Sequence, residues 1–146
     1  MTVRSITTAD FDAVAALLAV LGRPALTEGA EPAARDVYDA QLGDELADHL
    51  VAEDDEGRVV GFCSQHYRTR LNHATLQAWI PDLIVAEDVR SSGVGRALLG
   101  EAERRARERG CHELVLESAY FRTRAHAFYV REGMTDAGKT FWKALD

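Results

Sequence analysis

The segment that most constrains this chain runs from Asp82 to Leu99. An unbroken apolar run, Leu83-Ile84-Val85, leads into a turn holding Gly93 and Gly95, and then Val94, Leu98, Ala102 and Ala106 recur at helical spacing. The helix is predicted from about Gly93 to Arg109, with Gly110 closing it and His112 to Glu117 following as a strand. Strand, helix and strand in this order make a crossover, which joins parallel neighbours in a sheet. Glu101 with Arg105 and Glu103 with Arg107 pair on the helix's other face in the orientation that supports a solvated surface, so its many arginines need no nucleic-acid partner.

Upstream the signals are antiparallel. Val3 to Ile6 reads as a short strand. Thr7 or Thr8 caps a helix marked by Phe11, Val14, Leu18 and Leu21, which Gly22 and Pro24 stop. Glu31 to Leu42 reads as a second helix. His49 to Glu53 and Arg58 to about Thr69 form a hairpin around the acidic turn Asp54 to Gly57, which is a solvated turn rather than a metal site. Thr75 to Ala86 is a third long strand, interrupted by Pro81, which cannot donate to a ladder and predicts a bulge or an edge position. Thr123 to Arg131 follows as a short helix and Thr140 to Leu145 as a final strand. The whole predicts an α/β (mixed α+β) sheet with both kinds of pairing.

At 146 residues the chain has the size of one domain, 1–146. The longest apolar run, Ala13 to Leu21, is nine residues, far short of the roughly 20 that cross a bilayer. No membrane partner is expected, and without an export signal in Met1 to Asp10 the expected location is cytoplasmic. Net charge of −7 argues against a nucleic-acid binder. Cys63 and Cys111 lack metal-ligand spacing and read as small hydrophobes, so no metal is expected.

The first N–H groups of a helix lack intrahelical partners and sit at the positive end of its dipole, where phosphates bind. Gly93 and Gly95 lack the Cβ atoms that would hold a diphosphate away, and Arg90 and Arg96 can add charge-assisted contacts; the same glycines also fit a tight turn with close packing. The phosphate loop of nucleotide triphosphatases is excluded because Arg96 and Ala97, not Lys and Ser/Thr, follow Gly95, and a dinucleotide fingerprint because Leu98 stands where it needs Gly or Ala.

Arg90-Ser91-Ser92-Gly93-Val94-Gly95 fits Arg-x-x-Gly-x-Gly and resembles the coenzyme A diphosphate loop of the GNAT superfamily of N-acetyltransferases. Ile84-Val85 with Glu87-Asp88 is similar to that family's central strand and its exit. Ala125 to Met134, with Phe128-Tyr129 and then Gly133-Met134, resembles its second marker. The likeness spans nearly the whole chain, Met1 to Leu50 matching in outline. It implies a twisted mixed sheet flanked by about four helices, with the strands Thr75 to Ala86 and His112 to Glu117 splayed around acetyl-CoA.

The same resemblance implies the site. Leu83, Ile84 and Val85 would pair with the pantetheine arm, and Arg90, Ser91, Ser92, Gly93, Val94, Gly95 and Arg96 would hold the diphosphate, with Thr123 and Phe128 completing the coenzyme site. A break near Pro81 would help the splay. Tyr129 would protonate the departing thiolate, a main-chain N–H near Val85 would meet the developing oxyanion, and Asp82 or Glu117 would take the ammonium proton. His66, His73 and His126 are titratable near neutrality, but the sequence brings none of them to the site. Where the family carries Asn, this chain has Arg122; Arg122, Thr123 or Arg124 would replace that contact.

The acceptor, a small-molecule or peptide amine, would lie among Leu21 to Asp48 and Arg70 to Trp79, with Tyr38, Trp79, Glu28, Glu31 and Asp36 as candidate contacts. A non-catalytic acyl-CoA-binding regulatory module is the alternative reading. The resemblance leaves a homodimer open, with Phe141, Trp142 and Leu145 available to it or to the chain's own sheet.

Overall fold

The computed structural model describes residues 1–21 and 31–145. Two units make up the chain, Met1–Val115 and Leu116–Asp146.

In the first unit, β1 (Thr2–Ser5) leads to a single 3-10 turn, Thr8–Asp10, and α1 (Phe11–Val20). The Asp10 carboxylate accepts the Thr7 N–H at 2.8 Å and the Thr7 hydroxyl at 3.1 Å, tying down the helix entry. Arg4 reaches the same carboxylate at 2.7 and 3.0 Å and also grips Glu53, so β1, the segment that ends at Glu53 and the start of α1 are joined by one guanidinium. The residues expected to stop this helix, Gly22 and Pro24, lie outside the described residues, as does Glu28. The second helix, α2, spans Glu31–Leu42 as its periodicity predicts.

The sheet runs in the order β1-β2-β3-β4-β5, with β2 Ala47–Glu53, β3 Val59–Arg68, β4 Gln77–Val85 and β5 Glu113–Leu116. The first four strands are antiparallel neighbours, and the crossover helix α3 (Val94–Glu108) delivers β5 beside β4 to make the sheet mixed. The acidic hairpin turn is as expected: Gly57 takes φ 84°, and the Asp54 carboxylate accepts the N–H groups of Glu56 and Arg58.

One sheet face packs on α1, where Val14 and Leu17 meet Val51, Phe62 and Ile84. The other receives α3 through Leu98, Ala102 and Ala106. Close approach there requires Gly61: a Cβ at this position would lie 2.8 Å from Leu98 Cδ1 and 2.9 Å from Val94 Cγ1. Asp48 pins the same layers together, accepting the Tyr67 hydroxyl at 2.5 Å and the guanidinium groups of Arg105 and Arg109 at 3.1 and 3.2 Å. Glu101 pairs with Arg105 and Glu103 with Arg107, as their spacing predicts.

Helix α3 ends in a Schellman cap. Gly110 takes φ 72°, its N–H donates to Arg107 O, and Cys111 N–H donates to Ala106 O, each at 3.0 Å. Cys63 is fully buried beneath the sheet, and burial pushes its thiol up to about 12, consistent with an inert core group.

The second unit contains α4 (Thr123–Arg131), again as predicted. The expected last strand, Thr140 to Leu145, is a correction: the segment has no regular structure, and Phe141, Trp142 and Leu145 are exposed. A strand is made by its ladder, and no described strand pairs with this one, so β-favouring residues alone do not form it. Among the described residues no helix is long and apolar enough to cross a membrane.

Candidate active site

The central feature is where β4 ends. Its register against β3 is regular from Val85 (opposite Gly61) to Asp82 (opposite Ser64), then shifts, with Trp79 opposite His66. One residue of β3, Gln65, therefore faces two of β4, Ile80 and Pro81, a bulge at the proline as expected. Ala86 N–H donates to Val60 O at 2.8 Å, and the alternation of an antiparallel ladder then turns the N–H and C=O groups of Val85 and Leu83 away from β3, toward the other edge. On that side β5 begins beside Leu76, where His112 N–H donates to Leu76 O at 3.0 Å, and has four residues against nine in β4. The end of β4 extends beyond what so short a strand can cover. Ile84 is in the core by its side chain, and the same alternation turns its N–H and C=O toward β3, so of the three residues expected to pair with a ligand only Leu83 and Val85 present main-chain groups to the open edge.

After β4 the chain makes a 3-10 turn, Glu87–Val89, and then the glycine turn. Arg90 is extended (φ −60°, ψ 145°), Ser91 is left-handed at φ 68°, and Gly93 caps α3 at φ 90°. A serine at positive φ is a strained backbone, a state that clusters at ligand clamps. Ser92 N–H donates to Val89 O at 3.3 Å, and its hydroxyl also donates to this carbonyl. The first helical bond is Ala97 N–H to Gly93 O at 3.0 Å, so helix geometry directs the N–H groups of Val94 and Gly95 out of the first turn. A Cβ built on Gly93 would meet nothing within 4 Å. Gly93 is therefore needed for its φ and fronts open space, which removes close packing as its explanation. Arg90, Ser91, Ser92 and Arg96 are exposed around it. Neutral N–H groups at a positive dipole end, flanked by two guanidinium groups, form an anion cradle.

Asp82 stands just past the Pro81 bulge, half-buried and opposite Ser64. Phe62, Ser64 and His66 alternate onto one face of β3, and Phe62 with Ile84 marks it as the α1 face. His66 lies 5.0 Å, ring to ring, from His49 and 5.7 Å from Trp79. His49 is the residue that sequence reasoning missed. Its Nε2 meets Gln41 Oε1 at 2.9 Å, its Nδ1 is buried without a partner among the described residues, and burial, reinforced by His66, pulls its pKa down to about 4. It is a neutral imidazole with an unspent acceptor. Asp82 also acts on it electrostatically. The alternation of Phe62, Ser64 and His66 was the available signal, but the pairing that adds His49 is not local.

Other expected acceptor contacts are used internally. The Tyr38 hydroxyl donates to Thr7 O at 2.6 Å and its ring packs edge-on against Phe11, while Glu31 pairs with Arg35. Trp79 remains on the His66 face, with the Arg68 guanidinium 4.8 Å over its ring.

The second unit carries the remaining expected residues. Glu117 is exposed just after β5, and Thr123 opens α4. Phe128 and Tyr129 are half-buried, their rings 5.5 Å apart. Gly133 (φ 92°) and Met134 form a second Schellman cap: their N–H groups donate to Val130 O at 3.0 Å and Tyr129 O at 2.9 Å. Arg122 occupies the N-cap of α4, with its main-chain carbonyl accepting His126 N–H at 3.1 Å.

The pattern of the Acetyltransferase (GNAT) family matches residues 15–134. An aminoalkylphosphonate N-acetyltransferase from Salmonella typhimurium is 36% identical over 142 residues, covering 97% of this chain and 90% of that protein. In fold, the chain is similar to a transcriptional regulator from Bacillus halodurans C-125 (TM-score 0.89, 22% identity, 99% of each chain). It is also similar to glucosamine-6-phosphate N-acetyltransferase from Arabidopsis thaliana (TM-score 0.83, 18% identity, 99% of this chain and 98% of that one). The glycine turn after β4 and the Phe128-Tyr129 helix thus sit within a match that runs through both units, and the chain belongs to the GNAT family of acetyltransferases.

Proposed function

We propose that this protein transfers the acetyl group of acetyl-CoA to the primary amine of a small aminoalkyl acid, by direct attack in a ternary complex, with residues 1–146 acting as one catalytic domain. The observation that carries the reading is the turn from Arg90 to Arg96: left-handed Ser91 and Gly93, outward N–H groups at Val94 and Gly95, and open space in front of Gly93. This turn binds the diphosphate, with Arg90 and Arg96 as charged flanks; on the second unit, Thr123 and Phe128 are the coenzyme contacts that membership of the family implies. The pantetheine amides pair with the N–H and C=O groups of Leu83 and with the C=O of Val85, which face away from β3, leaving the Val85 N–H for the thioester.

In the reaction the amine nitrogen forms a bond to the thioester carbonyl carbon and the carbon–sulfur bond breaks. The Val85 N–H stabilises the developing oxyanion, worth about 3 kcal/mol by comparison with similar donors. The Tyr129 hydroxyl gives its proton to the departing thiolate. Asp82 takes the ammonium proton directly or through water; Glu117, exposed after β5, is the second candidate for this step.

The acceptor class follows from two considerations. The 36% identical relative is an aminoalkylphosphonate N-acetyltransferase. In this chain the face holding Asp82, His49, His66 and Trp79 offers a carboxylate for an ammonium group, and Arg68 beside Trp79 offers a cation for the acid end.

The test is release of free coenzyme A, read with a thiol reagent, across aminoalkylphosphonates, amino acids, simple alkylamines and an aminoglycoside. Turnover should be highest with aminoalkyl acids. Preference for alkylamines without an acid group would overturn the acceptor class. Acetyl-CoA binding without turnover on any amine would favour a non-catalytic acyl-CoA-binding module.

A further inference from the structure

The turn that joins β3 to β4 and the entry to β5 are far apart in sequence, yet they bring His73, His112 and Glu113 together. One ligand atom from each lies within 4.8 Å of the others, the only such group of three or more His, Cys, Asp or Glu among the described residues. We propose that these three side chains bind a divalent cation of the zinc type, fastening the turn before β4 to the start of β5. The inference is independent of the transferase reading.

The groups behind the ligands support it. His112 Nδ1 lies 3.0 Å from the Thr75 hydroxyl, and its Nε2 lies 3.2 Å from Glu113 Oε1. With Nδ1–H donating to Thr75, the tautomer that ligates a metal, the Nε2 lone pair stands beside the Glu113 carboxylate and both can face one cation; without a cation Nε2–H donates to that oxygen instead. Metal-binding histidines characteristically donate their second nitrogen to an oxygen in this way, which fixes the tautomer. Glu113 is itself oriented, since Gln77 Nε2 donates to its Oε1 at 3.2 Å.

The His73 ring supplies the third donor, stacked on His112 with centroids 3.7 Å apart. Two imidazole nitrogens and one carboxylate oxygen suit zinc and its neighbours better than calcium or magnesium, and the remaining position goes to water. Bonds of about 2.0–2.2 Å set the donors of a tetrahedral zinc site roughly 3.3 Å apart, so the group must close by at most about 1.5 Å. His73 and Glu113 are both exposed, and rotation about their own side-chain bonds provides that movement without disturbing the sheet. His112 is anchored from below, its main-chain N–H donating to Leu76 O at 3.0 Å. Nothing in the sequence spacing announced this set, because its ligands meet only once β5 lies beside β4.

The experiment titrates Zn2+ into the full, tag-free chain after chelator treatment, followed by calorimetry, with Co2+ absorbance reporting the coordination geometry. One equivalent should bind, and Zn2+ should raise the melting temperature. His73→Ala and His112→Ala should each weaken binding at least tenfold and remove the melting shift, Glu113→Gln should weaken it, and Thr75→Val should cost about tenfold through the lost orientation of His112. His66→Ala should bind Zn2+ as the parent does. The proposal is overturned if the parent chain shows no binding, or if folded His73→Ala, an exposed turn variant, keeps parental affinity. Loss of binding on His66→Ala alone would put the metal at the other histidine pair and would overturn it equally.

Discussion

The N–H of Met134 donates to the carbonyl of Tyr129 at 2.9 Å, so the residue proposed as the acid is also the acceptor that closes its own helix. The Phe-Tyr…Gly-Met spacing is thereby given a mechanical meaning: Gly133 reverses the chain at φ 92°, Met134 returns over the last turn, and the position of Tyr129 is fixed from behind. Gly133→Ala meets no atom within 4 Å, so its cost is conformational, about 1–2 kcal/mol for a left-handed non-glycine residue. A urea unfolding series should show that loss, with kcat falling together with it and KM for acetyl-CoA changing little.

Removing the phenol alone separates chemistry from capping. Tyr129→Phe keeps the main-chain bond to Met134 and the ring beside Phe128, and removes only the proton donor. Turnover should fall roughly 10²-fold, the scale of a lost general acid, while the dissociation constant of acetyl-CoA measured by calorimetry stays within about twofold. Parental turnover in this variant would remove Tyr129 from the mechanism.

At the glycine turn, geometry and charge make different predictions. Gly93→Ala strains a backbone held at φ 90° and should weaken acetyl-CoA binding at every ionic strength. Arg90→Ala and Arg96→Ala remove exposed charges, so each should raise KM for acetyl-CoA several-fold in dilute buffer, and the difference should shrink as salt is added. Steady-state kinetics at two salt concentrations distinguishes the two cases.

Local chemistry explains which elements the sequence made legible. Glu31–Leu42 and Thr123–Arg131 are helices because their side-chain period acts within a few residues, and the turns at Gly57, Gly93, Gly110 and Gly133 need positive φ wherever the rest of the chain lies. Pro81 announced its bulge for the same reason. Thr140 to Leu145 failed because a strand depends on a partner that composition does not supply. The His49 and His66 pair, and the His73, His112 and Glu113 group, were illegible because each is created by strand register or by β5 arriving beside β4.

His49 also sets a pH dependence. Its folded-state pKa of about 4 lies below its ordinary 6.5 because burial penalises the imidazolium and His66 adds to the effect. Between these values the unfolded chain binds a proton that the folded chain refuses, so stability rises with pH through this window and falls as the solution is acidified from 6.5 toward 4. The full difference corresponds to about 3 kcal/mol. Carboxylates such as Asp10, held below its usual range by Arg4, lose their contribution only at lower pH, so the two effects separate along the axis. Denaturant midpoints from pH 7 to 4 should therefore decline steadily in the parent and much less in His49→Gln. An equal slope in the variant would show that His49 is not kept neutral by its burial beside Gln41 and His66.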